Sequence, residues 1–264
     1  MKNVYIDNPV LDVLLKSVTT WNLLKKGFQG GSVSFTAWPF RDCLAQCDFE
    51  GIKYAFLLLK GYDSNIFLNP FFHEYDITQF VVHTLKEGDT FIDVGAHAGL
   101  YTLIAGLRVG FQGKVLSFEP HPLNIAILKQ NIKLNMLENI VVIPKAASDK
   151  SEKIRLYYSP RKMALSSALE YEGKEEEVIV EAVRIDDVVN EKGLNCIKII
   201  KIDTEGYDFN VLKGSKNTLP KTRYIIVEQN IPDIKKFLSD HGFKLSTFKP
   251  SGYLLATNKS IDYS

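Results

Sequence analysis

Acidic side chains follow two apolar segments in the C-terminal half of the chain. Asp203 and Glu205 come after the segment "CIKIIK", and Glu228 ends the segment "YIIVE", 25 residues after Asp203. Because ligands bind at the carboxyl ends of parallel strands, adjacent strands would bring these oxygens together. One carboxylate could then act as general base toward an alcohol, or Asp203, Glu228 and Asn230 could hold a divalent ion such as Mg²⁺ that lowers the pKa of that alcohol. A third alternative is that the side chains are structural, with Glu205 capping a following helix.

The stretch "FIDVGAHAGLYT" (residues 91–102) reads as a glycine-rich turn from a strand to a helix. Asp93, Gly95 and Gly99 form the pattern D-x-G-x-x-x-G, which lacks the GxGxxG spacing of a dinucleotide loop and the GK[ST] of a P-loop. A carboxylate at Asp93 would repel a phosphate and attract a cation or an amine. S-adenosylmethionine offers a sulfonium and an α-ammonium and carries no phosphate. Glu119 ends the next predicted strand and is placed to accept two ribose hydroxyls, so we predict an S-adenosylmethionine pocket.

Three histidines are further candidates, because imidazole titrates near neutral pH. His97 lies inside the glycine-rich turn and His121 follows the next predicted strand, so both are expected to border the cofactor. His73 could reach over the pocket from the N-terminal segment as a catalytic base. Lys201 precedes Asp203 by two positions, so both side chains face one side of a regular strand and Lys201 is expected to neutralise the carboxylates.

The composition is that of an ordinary globular protein: 264 residues, 45% hydrophobic and 24% charged, with a formal net charge of +1. This balance gives no strong field to attract nucleic acid, so a nucleic-acid partner is not expected. The stretch "MKNVYIDNPVLDVLLK" does not read as a signal peptide, and no apolar run approaches the roughly 20 residues that span a bilayer. Cys43, Cys47 and Cys196 lack metal-site spacing and read as thiols of a reducing compartment. We therefore expect a cytoplasmic protein without a membrane span.

From about residue 88 onward, strand-like and helix-like segments alternate, as in parallel βαβ units. The predicted strands are residues 90–94, 114–119, 140–144, 196–203 and 224–229. The predicted helices are residues 100–110, 122–135 and 231–242. Residues 243–248 and 252–258 predict a closing hairpin, which makes the final strand antiparallel to its neighbours. This hairpin distinguishes the pattern from the dinucleotide-binding fold, which repeats βαβ units.

The other segments follow less regular patterns. In the N-terminal third we predict an amphipathic helix over residues 9–27, a β-hairpin over 51–71 that turns at "GYDSN", and a helix over 74–88. Strands at "KIRLYYS" and "EVIVEAVR" flank a predicted polar loop over 159–177, and a short helix follows at "IDDVVNEKG". A loop of this length is usually functional or disordered. The loop and the aromatic segments "FTAWPF" and "NPFFHEY" are candidates for a lid or a substrate wall.

The chain resembles the FkbM family of Class I S-adenosylmethionine-dependent methyltransferases over residues 74–258. The resemblance is carried by "FIDVGAHAGLYT", "FEPHPLNIAILKQNIKLN", "KAASDK", "SSALE", "VRIDDV", "IKIDTEGYDFNVLKG" and "IIVEQN", of which "KIDTEG…VLKG" is the most specific. It implies an α/β, Rossmann-like Class I methyltransferase fold, with a seven-stranded, mostly parallel sheet and an antiparallel last strand, here with an N-terminal α+β extension. It also implies methyl transfer to oxygen, usually a hydroxyl of a sugar or natural product, with S-adenosyl-L-homocysteine as product. The family often has Asn at the position of His97.

The resemblance also assigns residues to the site. Asp93, Gly95 and Gly99 would line the methionine end of the donor and Glu119 its ribose, while small residues after the third strand would edge the adenine. The predicted cofactor-binding residues are Asp93, Gly95, His97, Gly99, Tyr101, Glu119, Pro120, Ala146, Ala147, Ser148 and Asp203. The predicted catalytic residues are Asp203, Glu205, Glu228 and His73. No residue is assigned to a metal, and the alternative with magnesium stays open.

We predict two parts, an N-terminal helical and β-hairpin extension (residues 1–73) that serves as lid or substrate wall, and a methyltransferase domain (residues 74–264). The predicted function is O-methylation of a hydroxyl on a saccharide, glycolipid or small natural product, with a small-molecule or glycan acceptor as partner and the oligomeric state left open. One alternative is an RNA methyltransferase, disfavoured by the neutral charge and by the lack of an Asn-Pro-Pro-Tyr-like turn. A second is a non-catalytic S-adenosylmethionine-binding protein. An NAD-linked oxidoreductase is disfavoured by the glycine spacing.

Overall fold

The computed structural model describes residues 26–28, 31–36, 43–58, 74–159, 162–169 and 176–261. Within these residues the strands are β1 (Lys26–Phe28), β2 (Gly31–Thr36), β3 (Cys43–Phe49), β4 (Ile52–Leu58), β5 (Thr90–Val94), β6 (Lys114–Phe118), β7 (Ile140–Ile143), β8 (Ala146–Ala147), β9 (Glu152–Ser159), β10 (Lys162–Ser167), β11 (Glu176–Val183), β12 (Ile197–Ile202), β13 (Thr222–Val227), β14 (Lys244–Thr247) and β15 (Leu254–Thr257). The α-helices are α1 (Tyr75–Thr84), α2 (Leu100–Val109), α3 (Pro122–Leu134), α4 (Ile185–Glu191), α5 (Asp208–Lys213) and α6 (Pro232–Asp240).

Seven strands form the central sheet, in the order β14-β15-β13-β12-β5-β6-β7. β5, β6, β7, β12 and β13 run parallel, whereas β15 pairs antiparallel with β13 and with β14. All six residues of β12 are buried, as expected for a strand that has helices on both faces. The predicted fold class is confirmed, including the closing hairpin and its antiparallel last strand.

Two apolar clusters cover opposite faces of this sheet. Phe91 and Ile199 belong to one cluster, together with side chains of α1 and α2. Ile92 and Ile200 belong to the other, together with side chains of α4, α5 and α6. Since consecutive residues of a strand point to opposite faces, β5 and β12 are held between two packed layers. The carboxyl ends of β5 and β12 are therefore held in fixed positions, and side chains that follow them can form a site.

A second, smaller sheet has the order β10-β9-β11-β8. β9 and β11 form an antiparallel pair, and β8 runs parallel to β11. The polar loop predicted over residues 159–177 is wrong in part, because Lys162–Ser167 form β10, which pairs with β9. β10 is an edge strand, and edge strands are commonly short and polar, so its sequence carries little strand signal. Residues 160–161 and 170–175 lie outside the described part of the chain.

The N-terminal extension contributes an antiparallel sheet in the order β1-β2-β3-β4. The strand predicted at the start of residues 51–71 is confirmed, but it forms its hairpin with the preceding β3, through a turn in which Glu50 and Gly51 have φ of 49° and 84°. The helix predicted over 9–27 is wrong at its end, because Lys26–Phe28 pairs with β2 as a strand. The rest of that helix and the turn at "GYDSN" lie outside the described residues.

The extension is attached to the rest of the molecule through α3. Asn131 Oδ1 accepts the backbone N–H of Leu57 at 2.8 Å, and the side chain of Asn135 bonds both the N–H and the carbonyl of Ala55 at 2.8 Å. Buried side chains of β3 and β4 also belong to the apolar cluster that contains α1 and α2. The boundary near residue 73 stays a prediction, and the extension shares a core with the C-terminal part of the chain. Among the described residues, the helices are too short or too polar to cross a bilayer.

Candidate active site

The turn between β5 and α2, called here the donor turn (residues 95–99), is built on positive φ angles. Gly95, His97 and Gly99 have φ of 82°, 50° and 97°, and α2 begins directly after them. A Cβ on Gly95 would lie 1.9 Å from the carbonyl oxygen of Asp203. Only glycine permits this approach, so the donor turn lies directly against the end of β12.

Glu119 follows β6 and is fixed beside the donor turn. Its Oε2 accepts the backbone N–H of His97, and its Oε1 accepts that of His121, each at 2.8 Å. Oε1 also accepts from the amide of Asn124 at 3.1 Å. Burial raises the pKa of Glu119 to about 7, although these hydrogen bonds oppose the shift. A carboxylate has about four acceptor positions, so Oε2 can accept a ligand hydroxyl without losing these bonds.

Asp93 lies behind the donor turn, in the sheet. It is 1% exposed, and its Oδ2 accepts the hydroxyl of Thr102 at 2.6 Å. Thr102 Oγ1 is also 2.7 Å from Ser117 Oγ, so the three side chains form one chain of hydrogen bonds across β5 and β6. Burial raises the pKa of Asp93, while the ammonium of Lys201 opposes the rise. Direct contact of Asp93 with a donor stays a prediction.

The histidines that were expected to border the cofactor do lie beside Glu119. Burial lowers the pKa of His97 to about 4, so the ring is neutral at pH 7. Burial also lowers the pKa of His121, whose Nδ1 accepts the backbone N–H of Leu123 at 3.3 Å at the start of α3. The ring of His97 is therefore too weak a base to be matched to proton transfer at neutral pH. His73 lies outside the described residues.

Asp203, Glu205 and Glu228 form an acidic cluster at the carboxyl ends of β12 and β13. One oxygen from each residue can be chosen so that all three lie within 4.8 Å of one another. Lys201 Nζ donates to Asp203 Oδ2 at 2.7 Å from a side chain that is 3% exposed. The hydroxyl of Tyr253 donates to the same oxygen at 3.0 Å. The structure thus brings together the strand-end carboxyl groups and places Lys201 on the same side as Asp203, as the spacing predicted.

The three carboxyl groups differ in protonation. Burial favours neutral Asp203, but the ammonium of Lys201 and hydrogen bonds to the carboxylate outweigh it and lower the pKa of Asp203. Burial, then the charges of Asp203 and Asp208, raise the pKa of Glu205 to about 7. Burial, then the charges of Asp203 and Glu205, raise the pKa of Glu228 to about 9. At pH 7, therefore, Asp203 is ionised and Glu228 is protonated. Glu205 is partly ionised and partly protonated.

Two side chains hold the segment that carries this cluster. Asp208 Oδ1 accepts from the N–H and the hydroxyl of Thr204 at 2.9 and 2.6 Å, and its Oδ2 accepts from the N–H of Gln229 at 3.0 Å. Asp208 therefore ties the turn after β12 to the end of β13. Glu205 has a φ of 50°, and its carbonyl accepts the hydroxyl of Ser167 at 2.7 Å. The N-cap residue of α5 is Tyr207 and, among the described residues, no side chain caps this helix, so the alternative in which Glu205 caps it is wrong.

Two further predicted residues flank these groups. Tyr101 is buried, its hydroxyl lies 3.1 Å from Thr78 Oγ1, and Lys201 Nζ stands 4.5 Å from the centre of its ring. Tyr101 thus packs beneath the acidic cluster. Pro120 is half-buried and follows Glu119 directly. Contact of either residue with the cofactor stays a prediction.

The small residues predicted at the adenine edge are all buried. Ala146 and Ala147 form β8 and pair with Ala182 and Val183 of β11. Ser148 Oγ lies 3.3 Å from the hydroxyl of Tyr207, just before α5. Their packing in the small sheet has direct support, and their contact with adenine stays a prediction.

Asn230, which the metal alternative included, bonds to the closing hairpin. Its Nδ2 donates to Thr247 Oγ1 at 3.2 Å and to the carbonyl of Gly252 at 3.1 Å. The oxygens of the acidic cluster are close enough to share a cation. Lys201 already balances one carboxylate of that cluster, so a metal ion is not needed for neutrality.

Tyr253, Asp208 and Ser167 complete the site, although no motif isolates them. Tyr253 could have been found from topology: it precedes β15, and the start of an antiparallel strand lies at the same edge as the carboxyl end of its parallel neighbour. Asp208 lies within the most specific stretch of the sequence. Ser167 lies in "SSALE", a segment that carries the family resemblance, but its bond to Glu205 depends on the fold of β10 and was not predicted.

These groups fit S-adenosylmethionine in their chemistry. Asp203 and the ionised form of Glu119 flank the donor turn with negative charge, which suits a sulfonium and an ammonium and repels phosphate. The assignments of Glu119 to the ribose and of the donor turn to the methionine end stay predictions. The acidic cluster lies next to the donor turn across the contact between Gly95 and Asp203, where a second substrate would meet the donor.

Residues 93–245 match the family profile described as "Methyltransferase FkbM domain". Methyltransferase sdnD from Sordaria araneosa is 29% identical over 210 residues, which cover 66% of this chain and 79% of that relative. Hexuronic acid methyltransferase AglP from Haloferax volcanii is 26% identical over 178 residues, with 66% and 70% covered. 31-O-demethyl-FK506 methyltransferase FkbM from Streptomyces tacrolimicus is 27% identical over 195 residues, with 60% and 74% covered. The profile match includes both the donor turn and the acidic cluster.

Proposed function

The chain belongs to the FkbM family of S-adenosylmethionine-dependent methyltransferases, and from this premise we propose that it methylates a hydroxyl oxygen of a saccharide, a glycolipid or a small natural product. The observation that carries the proposal is the acidic cluster beside the donor turn. Its carboxyl groups lie within 4.8 Å of one another and have different protonation states. Such a cluster can remove a proton from an alcohol, which has to happen when the alcohol is methylated.

Each residue of the cluster has a distinct part. S-adenosylmethionine, when bound, supplies a methyl group on a sulfonium and leaves as S-adenosylhomocysteine. Glu205 accepts the proton of the hydroxyl, because its pKa of about 7 keeps a large fraction ionised at neutral pH. Protonated Glu228 donates a hydrogen bond to a neighbouring oxygen of the acceptor. Lys201 holds Asp203 ionised, which orients the acceptor.

The names of the relatives support an oxygen acceptor. One relative is named for hexuronic acid and another for 31-O-demethyl-FK506. A carboxyl cluster suits acceptors with several hydroxyl groups, because ionised and protonated carboxyls accept and donate hydrogen bonds respectively.

The first test is calorimetric titration with S-adenosylhomocysteine, with NADH as the control ligand. We expect the unaltered protein to bind S-adenosylhomocysteine alone. Glu119→Gln should weaken this binding about tenfold or more, because the new amide faces the N–H groups of His97 and His121 and loses a charged acceptor. Glu181→Gln changes a carboxyl whose side chain is 60% exposed and should leave affinity unchanged. Unchanged affinity in Glu119→Gln would contradict the ribose assignment.

The second test is methyl transfer from isotopically labelled S-adenosylmethionine to panels of saccharides, glycolipids, hydroxylated natural products and RNA, with and without magnesium. Transfer to a hydroxylated small molecule or glycan, lost in Glu205→Gln, supports the proposal. Transfer to RNA alone would favour the alternative function and overturn it. Dependence on magnesium would move the activation of the alcohol from Glu205 to a metal ion.

A further inference from the structure

The small sheet touches the central sheet on both sides of the donor turn. On one side, the ring of Tyr158 in β9 lies 4.5 Å from the ring of His121, which follows β6. On the other side, Ser167 at the end of β10 donates to the carbonyl of Glu205, which follows β12. β5 lies between β12 and β6 in the central sheet. A sheet with contacts at both neighbours must cross the carboxyl end of β5, where the donor turn lies.

Tyr158 is the aromatic side chain that this sheet presents toward the pocket. It shares a face of β9 with Leu156, which is buried in the small sheet's own apolar cluster. Tyr158 also packs against the larger apolar cluster, which includes Ala98 of the donor turn and Ile127 of α3. The half-buried ring therefore contacts the central sheet on one side and stays partly open to solvent.

The orientation of this ring is held before any ligand binds. Its hydroxyl donates to Glu176 Oε2 at 2.6 Å, and Glu176 is its direct cross-strand partner in β11. The ring meets that of His121 at an interplanar angle of 68°. His121 in turn donates its backbone N–H to Glu119, the proposed ribose ligand. A chain of contacts thus connects Tyr158 to the position of the donor's ribose.

We propose that Tyr158 is a donor-site residue, and that the small sheet roofs the donor pocket with this ring against the adenosyl group of the bound donor. The inference rests on the proposed function for the identity of the ligand. Beside Glu119, the adenosyl group is the apolar and aromatic part of the donor within reach of Tyr158. Adenine has a π-face on which an aromatic ring can pack, whereas the methionine end carries charges that the carboxyl groups attract.

The test is calorimetric titration of the full chain with S-adenosylhomocysteine, using Tyr158→Ala, Tyr158→Phe and Phe111→Ala. We expect Tyr158→Ala to weaken binding about tenfold, as for other aromatic side chains that pack on a base. Tyr158→Phe keeps the ring and should retain most of the affinity. Phe111 is 84% exposed and precedes the amino-terminal end of β6, whereas the donor turn lies at the carboxyl ends of the strands. Phe111→Ala is therefore the matched control and should bind S-adenosylhomocysteine normally.

A structural readout accompanies the affinities. In the complex of the unaltered protein, intermolecular nuclear Overhauser effects should connect the Tyr158 ring protons to adenine protons. Normal affinity in Tyr158→Ala, or a loss of affinity without these effects, would overturn the inference while the proposed function stands. Failure of the unaltered protein to bind S-adenosylhomocysteine would overturn both. Thermal melting of each variant shows whether Tyr158→Ala is folded. If it is not, Tyr158→Phe takes its place, and the Overhauser effects to adenine protons must then be observed from the phenylalanine ring.

Discussion

At the scale of single residues, the ionisation of Glu205 should determine how kcat/KM falls at acidic pH. Burial and the negative charges of Asp203 and Asp208 raise its pKa to about 7, with Lys201 opposing the rise. A general base acts when deprotonated, so kcat/KM should increase about tenfold per pH unit below about pH 7 and level off above it. Glu205→Gln should remove this limb and lower kcat/KM about 100-fold or more. Rates measured across pH on an identified acceptor check this, and a wild-type profile that stays flat below about pH 6 would contradict it.

Glu228 should make the folded state less stable as the pH rises. Its pKa is raised to about 9 in the folded protein, against about 4.3 for an ordinary glutamate. Between these values the folded state binds a proton that the unfolded chain releases, so the free energy of unfolding falls as pH increases. Glu228→Gln has no such proton and should show a shallower loss of stability from about pH 6 to about pH 8.5. Urea unfolding at several pH values measures both slopes, and parallel slopes would count against a protonated Glu228.

Part of this site could be predicted from residue types and spacing. Asp203, Glu205 and Glu228 follow apolar runs, and the rule that parallel strands present their carboxyl ends at one edge was sufficient to bring them together. Their separate protonation states could not be predicted. These depend on the buried ammonium of Lys201 and on Tyr253, which meets Asp203 only through the register of an antiparallel strand 50 residues later.

At the scale of elements, Asp208 joins the turn after β12 to the end of β13 through hydrogen bonds to Thr204 and Gln229. Asp208→Asn replaces an acceptor by a donor, so the N–H of Gln229 or the groups of Thr204 lose a partner. We expect a lower kcat, because Glu205 and Glu228 no longer hold a fixed separation, and little change in the affinity for S-adenosylhomocysteine, because Glu119 lies on another strand. Single-turnover rates and calorimetry on the same preparations separate these effects. A large loss of donor affinity with unchanged kcat would contradict this role.

The elements differ in how well the sequence predicts them, for a physical reason. Central strands such as β12 are buried on both faces and read as continuous apolar runs, so they were predicted correctly. Lys162–Ser167 form an edge strand in the small sheet, and Lys26–Phe28 form a short strand whose only described partner is β2. Each pairs with a neighbour from which two residues separate it, but short strands at the edge of a sheet show little apolar periodicity, so their sequences do not reveal them.

At the scale of the whole molecule, one buried side chain forms hydrogen bonds with both the N-terminal sheet and the donor turn. Asn131 is fully buried in α3, accepts from the N–H of Leu57 in β4 and donates to the carbonyl of Ala98 in the donor turn, both at 2.8 Å. Within the described residues, the side chain of Asn135, one helical turn later, bonds to Ala55 in β4 and to the carbonyl of Asn131. Both residues attach the extension, and Asn131 alone also contacts the donor turn.

This difference yields a paired prediction. Asn131→Ala and Asn135→Ala each leave backbone groups of β4 without a partner, so each should lower the free energy of unfolding, by about 3 kcal/mol at the more buried Asn131 and about 1–2 kcal/mol at Asn135. Only Asn131→Ala should also weaken binding of S-adenosylhomocysteine, because only there does the donor turn lose a bond that fixes its conformation. Denaturant unfolding and calorimetry on both variants measure the two effects. Equal donor affinity in the two variants would mean that the bond from Asn131 to Ala98 does not influence the donor pocket, whereas a selective loss in Asn131→Ala would show that this buried side chain, which also holds the extension, shapes the donor turn.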